Sequence, residues 1–208
     1  DLLRWVLVET SHPGNVGSAA RALKTMGFRD LRLINPKVQS MASTPEAIAL
    51  ASGAIDVLAG SSESHSLSKA VEGCALVLGL TSRDREFGPP ALDWDTARIL
   101  ISDTVLGNGK VALLFGPERT GLDNEHLALC THRVWLNANP DYPSLNLAQA
   151  LMVCAYTLRD TLGDLNEQQD NAVNREAIAD LADPAAIAAM LEHWREGLEA
   201  IGYLDPAN

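Results

Sequence analysis

The chain has 208 residues and a mass of 22.3 kDa, with 47% hydrophobic and 21% charged residues and a net charge of −11. That length and composition describe a globular protein able to bury a core without disulfides or a structural metal, and they exclude a disordered chain. The three cysteines, Cys74, Cys130 and Cys154, are odd in number and never paired as C-x-x-C, which argues against a disulfide framework or zinc ribbon and fits a reducing, cytoplasmic setting. No apolar run approaches the roughly 20 residues of a membrane span.

Trp5-Val6-Leu7-Val8 reads as a first strand, ended by the turn-forming run Ser11-His12-Pro13-Gly14-Asn15. Val16, Ala19, Ala20, Leu23 and Met26 then recur at helical spacing, with Gly27 as the stop. Leu31-Arg32-Leu33-Ile34 is a second strand. Thr44-Pro45-Glu46 opens a helix with a capping hydroxyl and a proline at its first position, and Gly53 ends it. Apolar runs at 75–78, 111–115 and 134–136 predict further strands, separated by helical patterns at 67–72, 95–106 and 124–130. A long helix is predicted from Leu145 to Leu162. Strands apolar throughout, each followed by a helix, predict an α/β fold whose mostly parallel sheet is covered on both faces. The polar stretch 163–173 reads as a linker, and 177–182 and 184–201 as a short Ala-rich helical appendage. The predicted organisation is a main domain over 1–162, a linker over 163–173 and an acidic C-terminal extension over 174–208.

An excess of acid counts against a nucleic-acid partner, but its distribution is uneven. From Asp160 onward there are two basic and eleven acidic residues, whereas the first 40 residues hold six basic against three acidic. The acidity belongs mainly to the tail, where it reads as a solvated helical face.

Three segments place Gly, Asn or Pro directly after a predicted strand, where open α/β sheets bind ligands. In Asn15-Val16-Gly17-Ser18-Ala19-Ala20-Arg21, small residues at a helix start permit close approach, and Arg21 and Lys24 share a face. In Phe115-Gly116-Pro117-Glu118-Arg119-Thr120-Gly121-Leu122, the glycine spacing matches half a P-loop, but Leu122-Asp123 replaces the required Lys-Ser/Thr, so no P-loop is present. The third segment, Leu136 to Leu147, carries two prolines, and its Ser144 can cap the following helix. Taken singly, each is equally well a capping turn. The five histidines show no metal-ligand spacing. His12 is either a ligand contact or a turn residue, and Glu118 and Arg119 either shape their loop or join the chemistry.

Taken together, in this order and spacing, Asn15-x-Gly17-x-x-x-Arg21, Phe115-Gly116-Pro117-Glu118-Arg119-x-Gly121-Leu122 and Ser144-Leu145-Asn146-Leu147-Ala148 resemble the three motifs of the SPOUT-class, TrmH-like RNA 2′-O-methyltransferases. The stretches 7–15 and 138–146 are similar to the TrmJ subfamily, which methylates ribose at position 32 of the tRNA anticodon loop. The end, Gly202-Tyr203-Leu204-Asp205-Pro206, looks like the start of that subfamily's helical extension, so a truncated extension is expected.

The resemblance implies a C-terminal trefoil knot, a homodimer, tRNA as partner and S-adenosylmethionine held in the knot loops without a metal. It matches the cofactor loops to Leu80, Thr81 and Ser82, to Gly116, Pro117 and Glu118, to Leu136, and to Ser144, Leu145 and Asn146, and it matches Arg21 to the catalytic arginine. A guanidinium is a poor proton acceptor, so Arg21 is expected to hold phosphate and stabilise charge on the 2′-oxygen instead. Asn15 would orient the ribose, with His12, Lys24 and Arg119 on the RNA. The alternatives are a wobble-position tRNA or rRNA 2′-O-methyltransferase of the same fold, or a non-catalytic knotted dimer that holds RNA. The presence of both Asn15 and Arg21 speaks against the last.

Overall fold

A computed structural model describes residues 2–82, 88–169 and 184–204. In chain order it contains β1 (Leu3–Val8), α1 (Pro13–Met26), β2 (Asp30–Ile34), α2 (Pro45–Ala51), α3 (Ile55–Ala59), β3 (Ser62–Ser64), α4 (Leu67–Val71), β4 (Leu76–Leu80), β5 (Ala91–Asp93), α5 (Trp94–Leu106), β6 (Val111–Phe115), α6 (Asn124–Ala128), β7 (His132–Trp135), α7 (Leu147–Gln169) and α8 (Pro184–Ala200). The strands form one sheet in the order β3-β2-β1-β6-β4-β7-β5, and every pairing is parallel.

Both faces of the sheet are covered, which is why its central strands lack polar alternation. Trp5, Leu7, Leu113 and Phe115 face one layer, where they pack with Val16, Ala20 and Leu23 of α1, Ile101 of α5 and Leu151 and Leu158 of α7. Val6, Val8, Ala112 and Leu114 face the other, against Leu67 and Val71 of α4 and Leu127 of α6. Each such valine, leucine or isoleucine, once fully buried, contributes about 1.5–3 kcal/mol. The Trp5 ring bridges Phe28 and Phe115, with centroids at 5.3 and 6.1 Å, and so anchors the end of β6 from below.

α1 starts at Pro13, three residues before the predicted periodicity, because a proline at the first helical position lacks only an amide that would have no partner there. It stops at Gly27, whose φ of 82° places it in the left-handed region. Gly17 lies directly against α2: any Cβ there would overlap the Ala47 carbonyl. Thr44 caps α2 as predicted, accepting from the Ala47 amide at 3.3 Å.

Three features depart from the sequence expectation. The edge strands β3 and β5 carry no sequence signal: Ser62-Glu63-Ser64 is polar, and each edge strand spans three residues, too few for a periodicity. The long helix begins at Leu147 rather than Leu145, and the residue that caps it is Asn146, not Ser144. α7 also runs on to Gln169, so residues 163–169 of the expected linker are helical; extending an existing helix adds one hydrogen bond per residue fixed, and no proline interrupts it. Residues 170–173 and the helix expected at 177–182 lie outside the described residues.

Candidate functional site

The carboxyl ends of β4, β6 and β7 open onto one cavity of about 290 Å³. Its wall brings together the four segments singled out from sequence: Leu80-Thr81-Ser82 after β4, Gly116-Pro117-Glu118-Arg119 after β6, Leu136 after β7, and Ser144-Leu145 before α7. Phe115, Val134, Leu147 and Ala150 complete an apolar floor. Asn146 is absent from the lining and stands just outside it, at the start of α7.

Loop geometry explains the glycines. The chain turns back after Pro117, with the Gly121 amide donating to the Pro117 carbonyl at 2.8 Å and Gly121 at a φ of 66°. A Cβ on Gly116 would overlap the Leu122 amide nitrogen and the Gly121 carbonyl carbon, so the loop can fold back this tightly only with glycine there. On the β4 side, the Thr81 amide donates to the Val134 carbonyl at 2.9 Å, which ties the start of that loop to strand β7. The loop before α7 is shaped by Asn139, whose Oδ1 accepts from the Asp141 amide at 3.0 Å.

Glu118 is the polar centre. Its Oε1 accepts from Thr10 Oγ1 at 2.7 Å and from Asn15 Nδ2 at 2.8 Å; its Oε2 accepts from the Ser11 amide at 3.1 Å and Ser11 Oγ at 3.0 Å. Burial alone would raise this carboxyl. The bonds from Asn15, its own backbone, Thr10 and Ser11 outweigh that and lower it to about 2. The carboxylate expected to touch the cofactor therefore faces the β1–α1 loop, while its residue still lines the cavity. Asn15 in turn accepts from Asn146 Nδ2 at 3.1 Å, so the three sequence motifs meet through a single hydrogen-bonded chain.

The remaining candidates sit further out. Arg21 is exposed on α1, outside the cavity lining. His12 is exposed at the α1 N-cap and makes no side-chain capping bond. Lys24 is turned to α3, pairing with Asp56 at 2.7 Å and donating to the Gly53 carbonyl at 2.8 Å. Arg119 is exposed at the cavity rim.

Sequence reasoning missed Thr10 as a site residue. It is fully buried, and its only signal is its position at the carboxyl end of the first strand. Among the described residues, no group of three His, Cys, Asp or Glu is placed to hold a metal ion, and no helix is long and apolar enough to cross a membrane.

Comparison with known proteins places this architecture. The SpoU rRNA Methylase family matches residues 3–156. The tRNA (cytidine/uridine-2′-O-)-methyltransferase TrmJ of Klebsiella pneumoniae is 42% identical over 206 residues, covering 98% of this chain and 82% of that protein. Among solved structures, TrmJ from Z. mobilis superposes with a TM-score of 0.78 at 31% identity, covering 98% of this chain and 83% of the other. A probable methyltransferase from Bordetella pertussis does so with a TM-score of 0.73 at 45% identity, covering 77% and 95% respectively. Matched from β1 into α7, the chain belongs to the SpoU rRNA Methylase family.

Proposed function

We propose that the protein is an S-adenosylmethionine-dependent tRNA ribose 2′-O-methyltransferase acting at position 32 of the anticodon loop. One observation carries this reading: the loops after β4, β6 and β7 and the start of α7 line a common cavity, and Glu118, Asn15 and Asn146 join it to the first turn of α1. The tRNA substrate is supported by TrmJ relatives 42% identical over nearly the whole chain.

The cavity fits the cofactor in kind. It is walled by Leu80, Leu136 and Leu145 and edged by loop backbone, as a nucleoside with a short charged tail requires. When bound there, S-adenosylmethionine supplies an electrophilic methyl group. The protein's part is to present a ribose hydroxyl in line with it, and positioning of this kind lowers a barrier by several kcal/mol, about 7 or more in favourable cases. Gly116 lets the loop fold tightly at the cavity edge, and Leu80–Ser82, Pro117, Leu136, Ser144 and Leu145 hold the nucleoside. Asn15 orients the ribose hydroxyl. Arg21, exposed on α1 and outside the cavity lining, grips the neighbouring phosphate and, through it, stabilises negative charge on the 2′-oxygen. The proton passes to phosphate or water. His12, exposed at the start of α1, and Arg119, exposed at the cavity rim, contact the RNA.

The same reading carries a trefoil knot, supported by the lodging of β6 between β1 and β4 and by the convergence of the 80–82, 116–121 and 143–145 loops on one cavity. It carries a homodimer, supported by Met152, Val153 and Tyr156, which α7 leaves exposed. Residues 1–162 then form the methyltransferase domain and 174–208 a C-terminal extension, in a cytoplasmic enzyme whose three buried cysteines form no disulfide.

Incubation with S-adenosylmethionine and unmodified tRNA, followed by mass mapping of methylated nucleosides, tests the proposal. A 2′-O-methyl group at nucleotide 32 is the expected product. Methylation at the wobble nucleotide, in rRNA alone, or nowhere would overturn it.

A further inference from the structure

We propose that Glu118 is a positioning residue that sets the direction of the side-chain amides of Asn15 and Asn146, and thereby which hydrogen-bonding groups are left to meet the ribose. The inference rests on the reading of the site as one for ribose methylation, but its geometry stands on the network alone.

An ionised carboxylate only accepts hydrogen bonds, whereas a side-chain amide has one donating and one accepting end. Glu118 therefore obliges Asn15 to turn Nδ2 towards it, at 2.8 Å, and Oδ1 away. That Oδ1 accepts from Asn146 Nδ2 at 3.1 Å, which leaves Asn146 Oδ1 facing α7. There it accepts from the main-chain amides of Ala148 at 3.0 Å and Gln149 at 3.3 Å, two donors of the first helical turn that have no partner within the helix. Donation runs one way along the whole chain, from α7 through Asn146 and Asn15 to Glu118. Neither end can reverse: main-chain amides cannot accept, and a carboxyl held at about 2 offers no proton near neutrality. Asn15 keeps one N–H and one acceptor position for a substrate hydroxyl, and Asn146 keeps one N–H.

Glutamine at position 118 preserves shape and removes this polarity. Its amide nitrogen cannot face the Ser11 main-chain N–H, which is fixed, so it faces Thr10 and Asn15. The Thr10 hydroxyl can rotate to accept. Asn15 has to flip, which sets its Nδ2 against Asn146 Nδ2 and forces Asn146 to release the α7 amides. The effect reaches a residue that residue 118 does not touch. A Glu118→Gln/Asn15→Asp double variant repairs the far end, because the new aspartate accepts from residue 118 and from Asn146 together.

Main-chain hydrogen exchange at Ala148 and Gln149, followed by NMR on the full chain without cofactor or RNA, reads the far end. Glu118→Gln should speed exchange at both amides about tenfold, and the double variant should return them to wild-type rates. Single-turnover methylation of tRNA, run in parallel, should be lost in both variants, since each withdraws the Asn15 donor from its place. Unchanged exchange in Glu118→Gln, or exchange still fast in the double variant, overturns the proposal. If Glu118→Gln is too unstable to assign, the double variant still tests the repair: fast amides there overturn the inference. A wild-type protein that shows this exchange pattern but methylates no RNA would instead remove the functional reading and leave the polarity intact.

Discussion

Gly116 and Leu122 approach so closely that a single methyl group on the first would lie well inside van der Waals contact with the amide nitrogen of the second. The turn after β6 can therefore exist only with glycine at its base. Gly116→Ala should open the turn, weaken adenosylmethionine binding by at least about tenfold and destabilise the fold by about 1–3 kcal/mol. Gly53, where a methyl group would meet nothing within 4 Å, is the control. Titration calorimetry and thermal melts on both alanine variants check the contrast; equal cofactor affinity in the two would contradict it.

Arg21→Ala should remove methyl transfer and leave cofactor affinity nearly untouched. Arg21 is exposed on α1 and takes no part in the cavity wall, so its contribution belongs to the RNA side. If it stabilises charge that arises only at the transition state, the loss should fall on turnover, about 10²–10³-fold. Arg21→Lys should restore little, because an ammonium lacks the planar two-pronged grip of a guanidinium. Single-turnover rates at saturating tRNA, set beside cofactor titrations, separate the two effects.

The titration of Glu118 has a stability signature at low pH. In the folded protein the carboxyl sits at about 2, below an ordinary glutamate value of 4.5, so it is the unfolded chain that takes up the proton first on acidification. The stabilisation from this group is complete above the ordinary value and is lost as pH falls from there through about 2. Urea midpoints of wild type and Glu118→Gln should therefore converge across that window and stay apart at neutral pH. Parallel curves throughout would show that the carboxylate does not hold the loop.

α7 leaves Tyr156 62% exposed beside Met152 and Val153, a ridge more apolar than solvent alone would favour. Placing a charge there should separate the proposed dimer. Sedimentation at micromolar concentration is expected to show two-chain particles for wild type and 22 kDa particles for Tyr156→Asp. A single-chain wild type would count against the assembly.

Much of the fold is legible in the chain because its central strands are buried on both faces. Trp5–Val8 and Val111–Phe115 carry no polar residue to blur them. Ser62–Ser64 and Ala91–Asp93 are not legible, since an edge strand is held by backbone pairing on one side and needs no apolar side chains. The site divides in the same way. Glycine and proline announce the loops at 116–121 and 136–145, because turn chemistry is local. The direction of the Glu118 carboxylate is not local: its partners Thr10, Ser11 and Asn15 lie more than 100 residues away, and only the parallel pairing of β1 with β6 brings them together.

The three thiols are distributed so as to report on the two layers separately. Cys154 is sealed in the helical layer that carries α1 and α7, whereas Cys74 and Cys130 are sealed on the opposite side of the sheet. Burial pushes Cys154 up and Cys130 up to about 12, so neither offers a reactive thiolate while its layer is closed. Brief pulses of an alkylating reagent will mark each cysteine only when its own side comes apart. The unmodified chain thus carries an internal clock for each layer, and comparing the two tells which half of the sandwich lets go first.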